Sequence, residues 1–179
     1  MTDVATDSRE GSPGRGRRGS SSTLADILYE TFYGGAIGGS ILALFFVVVD
    51  ALQGQALFTP SAVGTAFFTE ASASSNAEIR LDMVAYFSVV HLAAFLLVGF
   101  GLAIAYRRLG AYARRPTLMA ALTFAVLTGG FAAVGALFAP GVIGVIGLPW
   151  IAAGNLLTAI GLVAFMEWAH REGGGSSYS

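Results

Sequence analysis

The sequence predicts an all-α integral membrane protein with four transmembrane helices in an antiparallel, up-and-down bundle. Of its 179 residues, 55% are hydrophobic and 12% are charged, whereas soluble domains average about 25% charged residues. Four long apolar stretches lie between residues 32 and 168, and most arginines stand outside them. Helices satisfy their own backbone hydrogen bonds in lipid. The composition therefore excludes an ordinary water-soluble domain.

The two ends of the chain differ in character from its centre. Residues 1–22 are rich in Gly, Ser, Asp and Arg, a composition that cannot bury enough apolar surface to offset the entropy of ordering. We predict a disordered cytoplasmic tail there and a flexible cytoplasmic tail over 173–179. Between them, the transmembrane domain covers 23–172. Thr23 followed by Asp26 resembles a helix-capping pattern, which predicts that helix begins in the interface before the first span.

Four segments are long enough to cross a hydrocarbon core of about 30 Å, which takes about 20 helical residues. We name them TM1 to TM4. The short connection at Pro140 and Gly141 predicts a tight outer turn, so TM3 and TM4 should be antiparallel neighbours. Pro149 is expected to bend the last span. The spans run over about 32–52, 83–106, 117–139 and 142–168.

The outer loop between TM1 and TM2, residues 53–82, contains a stretch that is too apolar for a solvated loop and too short to span. Thr59 is a good capping residue and Pro60 suits a first helical turn. A short interfacial helix over about 60–69 is therefore predicted. It is expected to cover the bundle as a packing lid, with a re-entrant or ligand-gating element as the alternative.

Orientation follows from arginine, because the chain has no lysine. Nine of the ten arginines lie outside the TM1–TM2 loop, which holds only Arg80. The positive-inside rule then places both termini in the cytoplasm. Arginine without lysine and abundant Ala and Gly suggest a GC-rich bacterial genome, so we predict a protein of the bacterial inner membrane. The TM2–TM3 loop carries four arginines that we expect to contact anionic lipid head groups: Arg107, Arg108, Arg114 and Arg115.

Small residues recur at helical spacing and predict close helix contacts. TM1 carries two adjacent rows of glycine, Gly34 with Gly38 and Gly35 with Gly39. Packing within the chain explains such rows, but four helices cannot bury every small face at once. TM1 is therefore predicted to be the helix that faces outward, where its glycines would bind another membrane subunit or a second copy.

The residues most able to carry chemistry form a polar belt near the midplane. His91 is the histidine within a span, and an ionisable group in lipid points to function by default. Ser88 lies one turn away on the same face. One interpretation is a structural hydrogen bond from His91 to Asn155 or to a hydroxyl group. The alternatives are axial ligation of a haem or chlorophyll, with Ser88 beside the cofactor, and a proton relay. The belt is completed by Ser40, Thr128, Asn155 and Thr158.

Other functional classes find little support in the sequence. Cysteine is absent, the net charge is −1, and no metalloprotease, nucleophile-elbow or phosphate-loop motif occurs. We therefore expect no enzymatic activity, no metal site and no nucleic-acid partner. Asp50 and Asp82 are expected to cap or snorkel at the outer face, with a shared cation site as the alternative.

These observations predict a non-enzymatic structural, accessory or assembly subunit of a larger bacterial membrane complex, respiratory or photosynthetic. The expected partners are the lipid bilayer and other membrane subunits. Two alternatives remain: a tetrapyrrole-binding membrane protein that uses His91 as axial ligand, and a small oligomeric channel or transporter. No cofactor is expected unless His91 binds haem or chlorophyll.

Overall fold

The computed structural model describes residues 21–69, 78–110, 112–113, 115–139 and 141–175. All regular structure within these residues is helical, and four of the six helices are long and apolar enough to cross a membrane: α1, α3, α4 and α6. Most of the predicted amino-terminal tail, Arg114 and Pro140 lie outside the described residues. The helices are α1 (Ser21–Leu52), α2 (Phe58–Thr69), α3 (Leu81–Leu109), α4 (Pro116–Phe138), α5 (Val142–Ile146) and α6 (Leu148–Gly175).

The segment predicted as TM4 is divided into two helices. α5 ends at Ile146, and Gly147 adopts a φ of 90° before α6 begins. Only glycine reaches this left-handed region without a steric penalty. Pro149 lies in the first turn of α6, where its missing N–H costs little, so the break lies at Gly147 and not at the proline. At its other end α6 continues to Gly175, beyond the boundary predicted for the carboxyl-terminal tail.

α1 packs between α3 and α6, and its glycine rows make both contacts. A Cβ atom added at Gly35 would lie 2.8 Å from the Phe95 carbonyl oxygen of α3. One added at Gly38 would lie 2.9 Å from the Leu162 side chain of α6. The prediction that TM1 turns its glycines outward is therefore corrected: the chain's own helices occupy Gly34, Gly35, Gly38 and Gly39.

The buried residues form two clusters near opposite ends of the long helices. At the end where α3 finishes and α4 begins, which we call the basic end, Met119, Leu162 and Met166 are almost fully buried. At the other end, α2 lies against α3 and covers a smaller cluster that includes Ala66 and Val142. α4 packs mainly on α6. These contacts leave α3 and α4 separated by a gap.

Candidate functional site

α3 is flanked by two apolar crevices. The first, lined mainly by α1 and α3, has a volume of about 350 Å³. The second, between α3 and α4, has a volume of about 310 Å³. The crevices share six lining residues, which we call the crevice junction: Leu42, Val63, Phe87, His91, Phe131 and Asn155.

Small residues on α3 and α4 leave the α3–α4 crevice unfilled, and α2 contributes to its lining. α3 and α4 make few direct contacts, and the residues facing the gap include Ala94 and Gly130, whose short side chains leave it unfilled. Val63 of α2 lines both crevices. The short helix predicted in the outer loop therefore forms part of the site as well as covering the core.

Two contacts fix the start of α2 above the crevices. Both carboxylate oxygens of Asp50 accept hydrogen bonds from Thr59, one from its backbone N–H and one from its hydroxyl, each at 2.7 Å. Asp50 is only 2% exposed. Leu57, immediately before α2, has a φ of 69°, a region that side chains other than glycine rarely adopt. Asp50 therefore holds a strained turn and caps α2.

Asp82, the other outer carboxylate, has a different partner. It is exposed and pairs with Arg80 at 2.7 Å, and this contact raises the pKa of the Arg80 guanidinium above its usual value. Asp50 and Asp82 thus serve separate structural contacts. Among the described residues, no group of three or more His, Asp or Glu side chains comes together as a metal site would require.

His91 bonds to α1 and not to the partner that the sequence favoured. Its Nε2 atom lies 3.1 Å from the carbonyl oxygen of Gly39, whereas Asn155 or a hydroxyl was expected. A carbonyl only accepts, so Nε2 carries the proton and Nδ1 keeps a free lone pair. The ring lies between Phe87 and Phe95, with centroid distances of 5.5 and 4.8 Å.

Asn155 is the most deeply buried polar residue of the crevice junction. It is 3% exposed, and its Nδ2 donates to Thr128 Oγ1 over 3.2 Å. An amide has two N–H donors and an acceptor oxygen, so this bond uses only part of its capacity. Asn155 therefore bonds to Thr128, and it lines both crevices, as His91 does.

The remaining belt residues are divided between the crevice and the helix backbone. Ser40 and Ser88 line the α1–α3 crevice, and the Ser88 hydroxyl donates to the Val84 carbonyl oxygen at 2.7 Å. Thr158 is fully buried and donates to Gly154 within α6. It lines neither crevice. His91, Ser88, Ser40 and Asn155 therefore belong to one site, and Thr158 does not.

A second polar cluster lies at the basic end, and sequence reasoning missed it. Glu30 of α1 is 6% exposed, and both of its carboxylate oxygens accept hydrogen bonds from the Arg107 guanidinium. His170 Nδ1 lies 3.8 Å from Glu30 Oε1 and 3.0 Å from the Met166 carbonyl oxygen. The cluster thus ties α1, α3 and α6 together.

The four loop arginines have different surroundings. Arg107 points inward to Glu30 and its side chain is 24% exposed. Arg108 and Arg115 are exposed, and the Arg115 guanidinium lies over the Tyr112 ring at 5.8 Å. Contact with lipid head groups stays a prediction for Arg108, Arg114 and Arg115. The Arg107 guanidinium is instead bonded to Glu30.

A signal for Glu30 was present in the sequence. Glu30 precedes Gly34 by four residues and Gly38 by eight, so all three share one face of a helix. A carboxylate in line with a packed glycine row is expected to be buried and therefore paired. Its partner, Arg107, is 77 residues away, and no local pattern identifies it.

Comparison with known protein families, with curated protein sequences and with solved structures gives no match to this chain.

Proposed function

We propose that this chain is a multi-pass protein of the bacterial inner membrane, with an antiparallel four-helix bundle and both termini in the cytoplasm. Support comes from four apolar helices, of which the shortest has 23 residues, or about 35 Å at 1.5 Å per residue. The distribution of arginine supports the orientation, since only Arg80 lies in the outer loop.

We further propose that it acts as a non-enzymatic accessory or assembly subunit of a larger membrane complex, respiratory or photosynthetic. The observation that carries this proposal is the surface of α4. In the apolar 18-residue window of α4 only 11% of the residues are buried, against 44% in that of α6. Gly129 is open, since an added Cβ would have no neighbour within 4 Å. Small exposed residues allow a second helix to approach closely in lipid, so α4 replaces TM1 as the expected contact.

Photo-crosslinking tests this proposal. A photoreactive amino acid at Val126, which is 63% exposed on α4, is compared with one at Leu44, which is 64% exposed on α1. Irradiation of native membranes should yield a protein adduct from position 126 and not from position 44. Native mass analysis after mild detergent extraction should give the same complex. A monomer that forms only lipid adducts at both positions would refute the subunit role.

A second candidate is tetrapyrrole binding through His91. The residue borders both crevices, which favours a role in binding. With Nε2 held by Gly39, the free Nδ1 lone pair would serve as the metal ligand. The absorption spectrum of protein purified from its native host tests this candidate. Visible bands that disappear in His91→Ala would support it, and a colourless wild-type protein would reject it.

A further inference from the structure

We infer that the crevice junction binds a neutral, lipid-soluble ring compound that carries hydroxyl or carbonyl groups, of the quinol and quinone class. This inference does not depend on the accessory role proposed above. It rests on the polar groups at the junction, on the lack of charge around them, and on the shape of the two crevices.

The polar groups leave a defined set of hydrogen bonds for a ligand. After its bond to Thr128, Asn155 retains one N–H donor and its amide oxygen. His91 retains the Nδ1 lone pair. A ligand hydroxyl can donate to Nδ1 or to the amide oxygen, and a ligand carbonyl can accept the Asn155 N–H.

The absence of charged residues from the crevice linings disfavours ionic lipids as ligands. Every residue that lines the two crevices is uncharged, since Asp50 lies outside them and is satisfied by Thr59. A carboxylate or phosphate drawn into this apolar region would lose its hydration without gaining a counter-ion, which is strongly unfavourable. Fatty acids and phospholipid head groups are therefore poor occupants, and a neutral head group fits.

The shape of the site favours a flat ring with an apolar tail. Phe87 and Phe131 line both crevices and provide apolar aromatic surfaces against which a ring can pack. Volumes of about 310 and 350 Å³ lie at the lower end of the range for small-molecule sites. The ring fits at the junction, and the tail follows one crevice outward between the helices.

Two glycines of α4 provide a matched pair of variants. Gly129 and Gly130 are adjacent, and an added Cβ at either has no neighbour within 4 Å. Gly130 lines the α3–α4 crevice and Gly129 does not. Gly130→Leu should therefore fill the crevice, whereas Gly129→Leu adds the same side chain elsewhere on the helix. Asn155→Leu tests the polar contact independently.

The experiment measures binding of decylubiquinone to the purified full-length chain in mild detergent, with decanol as a control that has a tail and no ring. Saturable binding is expected for the quinone only. Gly130→Leu and Asn155→Leu should each weaken it about tenfold or more, and Gly129→Leu should change it less than about twofold. Thermal unfolding verifies that each variant is folded.

Three results would overturn the inference. They are the absence of saturable quinone binding, equal binding of decanol, and equal affinity of the Gly129→Leu and Gly130→Leu variants. Mass analysis of an organic extract from protein purified out of native membranes provides a further test, since a quinone or quinol should co-purify with the wild type and be depleted in Gly130→Leu.

Discussion

At the scale of single residues, the Glu30–Arg107 pair is the feature with the largest expected effect on stability. Glu30 is nearly buried, and both of its carboxylate oxygens are bonded to a guanidinium that is itself three-quarters covered. Forming such a pair gains little net free energy, because both charges lose water. Removing one partner is different, since the other charge then stays buried without compensation.

We expect Glu30→Ala and Arg107→Ala each to lower the free energy of unfolding by about 3–5 kcal/mol. The double variant should lose less than the sum, because the two side chains act as a unit. Arg171→Ala is the control: its partner is Glu167, the arginine side chain is 80% exposed, and the expected change is below about 1 kcal/mol. Unfolding in mild detergent measures the stability of all four variants. If Glu30→Ala and Arg107→Ala lost as little unfolding free energy as Arg171→Ala, the structural role of Glu30 would be contradicted.

At the scale of secondary-structure elements, two glycines allow α1 and α3 to approach closely. A Cβ atom at Gly35 would meet the Leu96 Cα at 2.8 Å, and one at Gly99 would meet the Thr31 carbonyl oxygen at 2.7 Å. Both obstacles are backbone atoms that no rotamer change can move. At Gly34, on the neighbouring face, an added Cβ would come nearest to the terminal methyl of Met166, at 2.9 Å, with the Phe165 ring at an ordinary contact distance of 3.6 Å.

Alanine substitutions should separate these two kinds of contact. Gly35→Ala forces α1 and α3 apart, with an expected loss of about 1–3 kcal/mol in unfolding free energy. Gly34→Ala requires only a shift of the flexible Met166 side chain, and the better helix propensity of alanine, by about 1 kcal/mol, offsets part of that cost. Thermal unfolding of both variants provides the comparison. Equal stability of the two variants would contradict the packing of α1 on α3.

At the scale of the whole molecule, the charges predict the direction of insertion. Among the described residues, the basic end carries Arg107, Arg108 and Arg115, whereas the α2 end carries Arg80. The positive-inside rule counts arginine and lysine at the two ends, and it predicts that the basic end faces the cytoplasm.

Single-cysteine labelling tests this orientation, because the natural chain has no cysteine that would react. Gln55→Cys at the α2 end and Arg108→Cys at the basic end both replace exposed residues. A membrane-impermeant maleimide should label the Gln55→Cys variant in intact cells. It should label the Arg108→Cys variant only after permeabilisation. The reverse pattern would require the opposite orientation.

The sequence by itself determined the helical class and the four long apolar helices, and the structure confirms both for the described residues. These features depend on local composition: a run of about 20 apolar residues is sufficient to define each span. The short helix after Asp50 was predicted from the local residues Thr59 and Pro60, but it begins at Phe58, so Thr59 lies inside the helix and Asp50 provides the cap. The polar residues His91 and Asn155 also stood out, because each interrupts an apolar run.

The tertiary structure alone decided which groups meet. The partner of His91 is the Gly39 carbonyl, a backbone atom that no side-chain pattern reveals, and the partner of Glu30 lies on another helix. The two crevices beside α3 were likewise unforeseen, and only the structure decided between the inward and outward positions that the sequence allowed for the TM1 glycines. The physical reason is that a span's composition specifies its length and environment, whereas its rotation and neighbours depend on packing and hydrogen bonds between distant segments, and lipid tails provide no hydrophobic force that would select them.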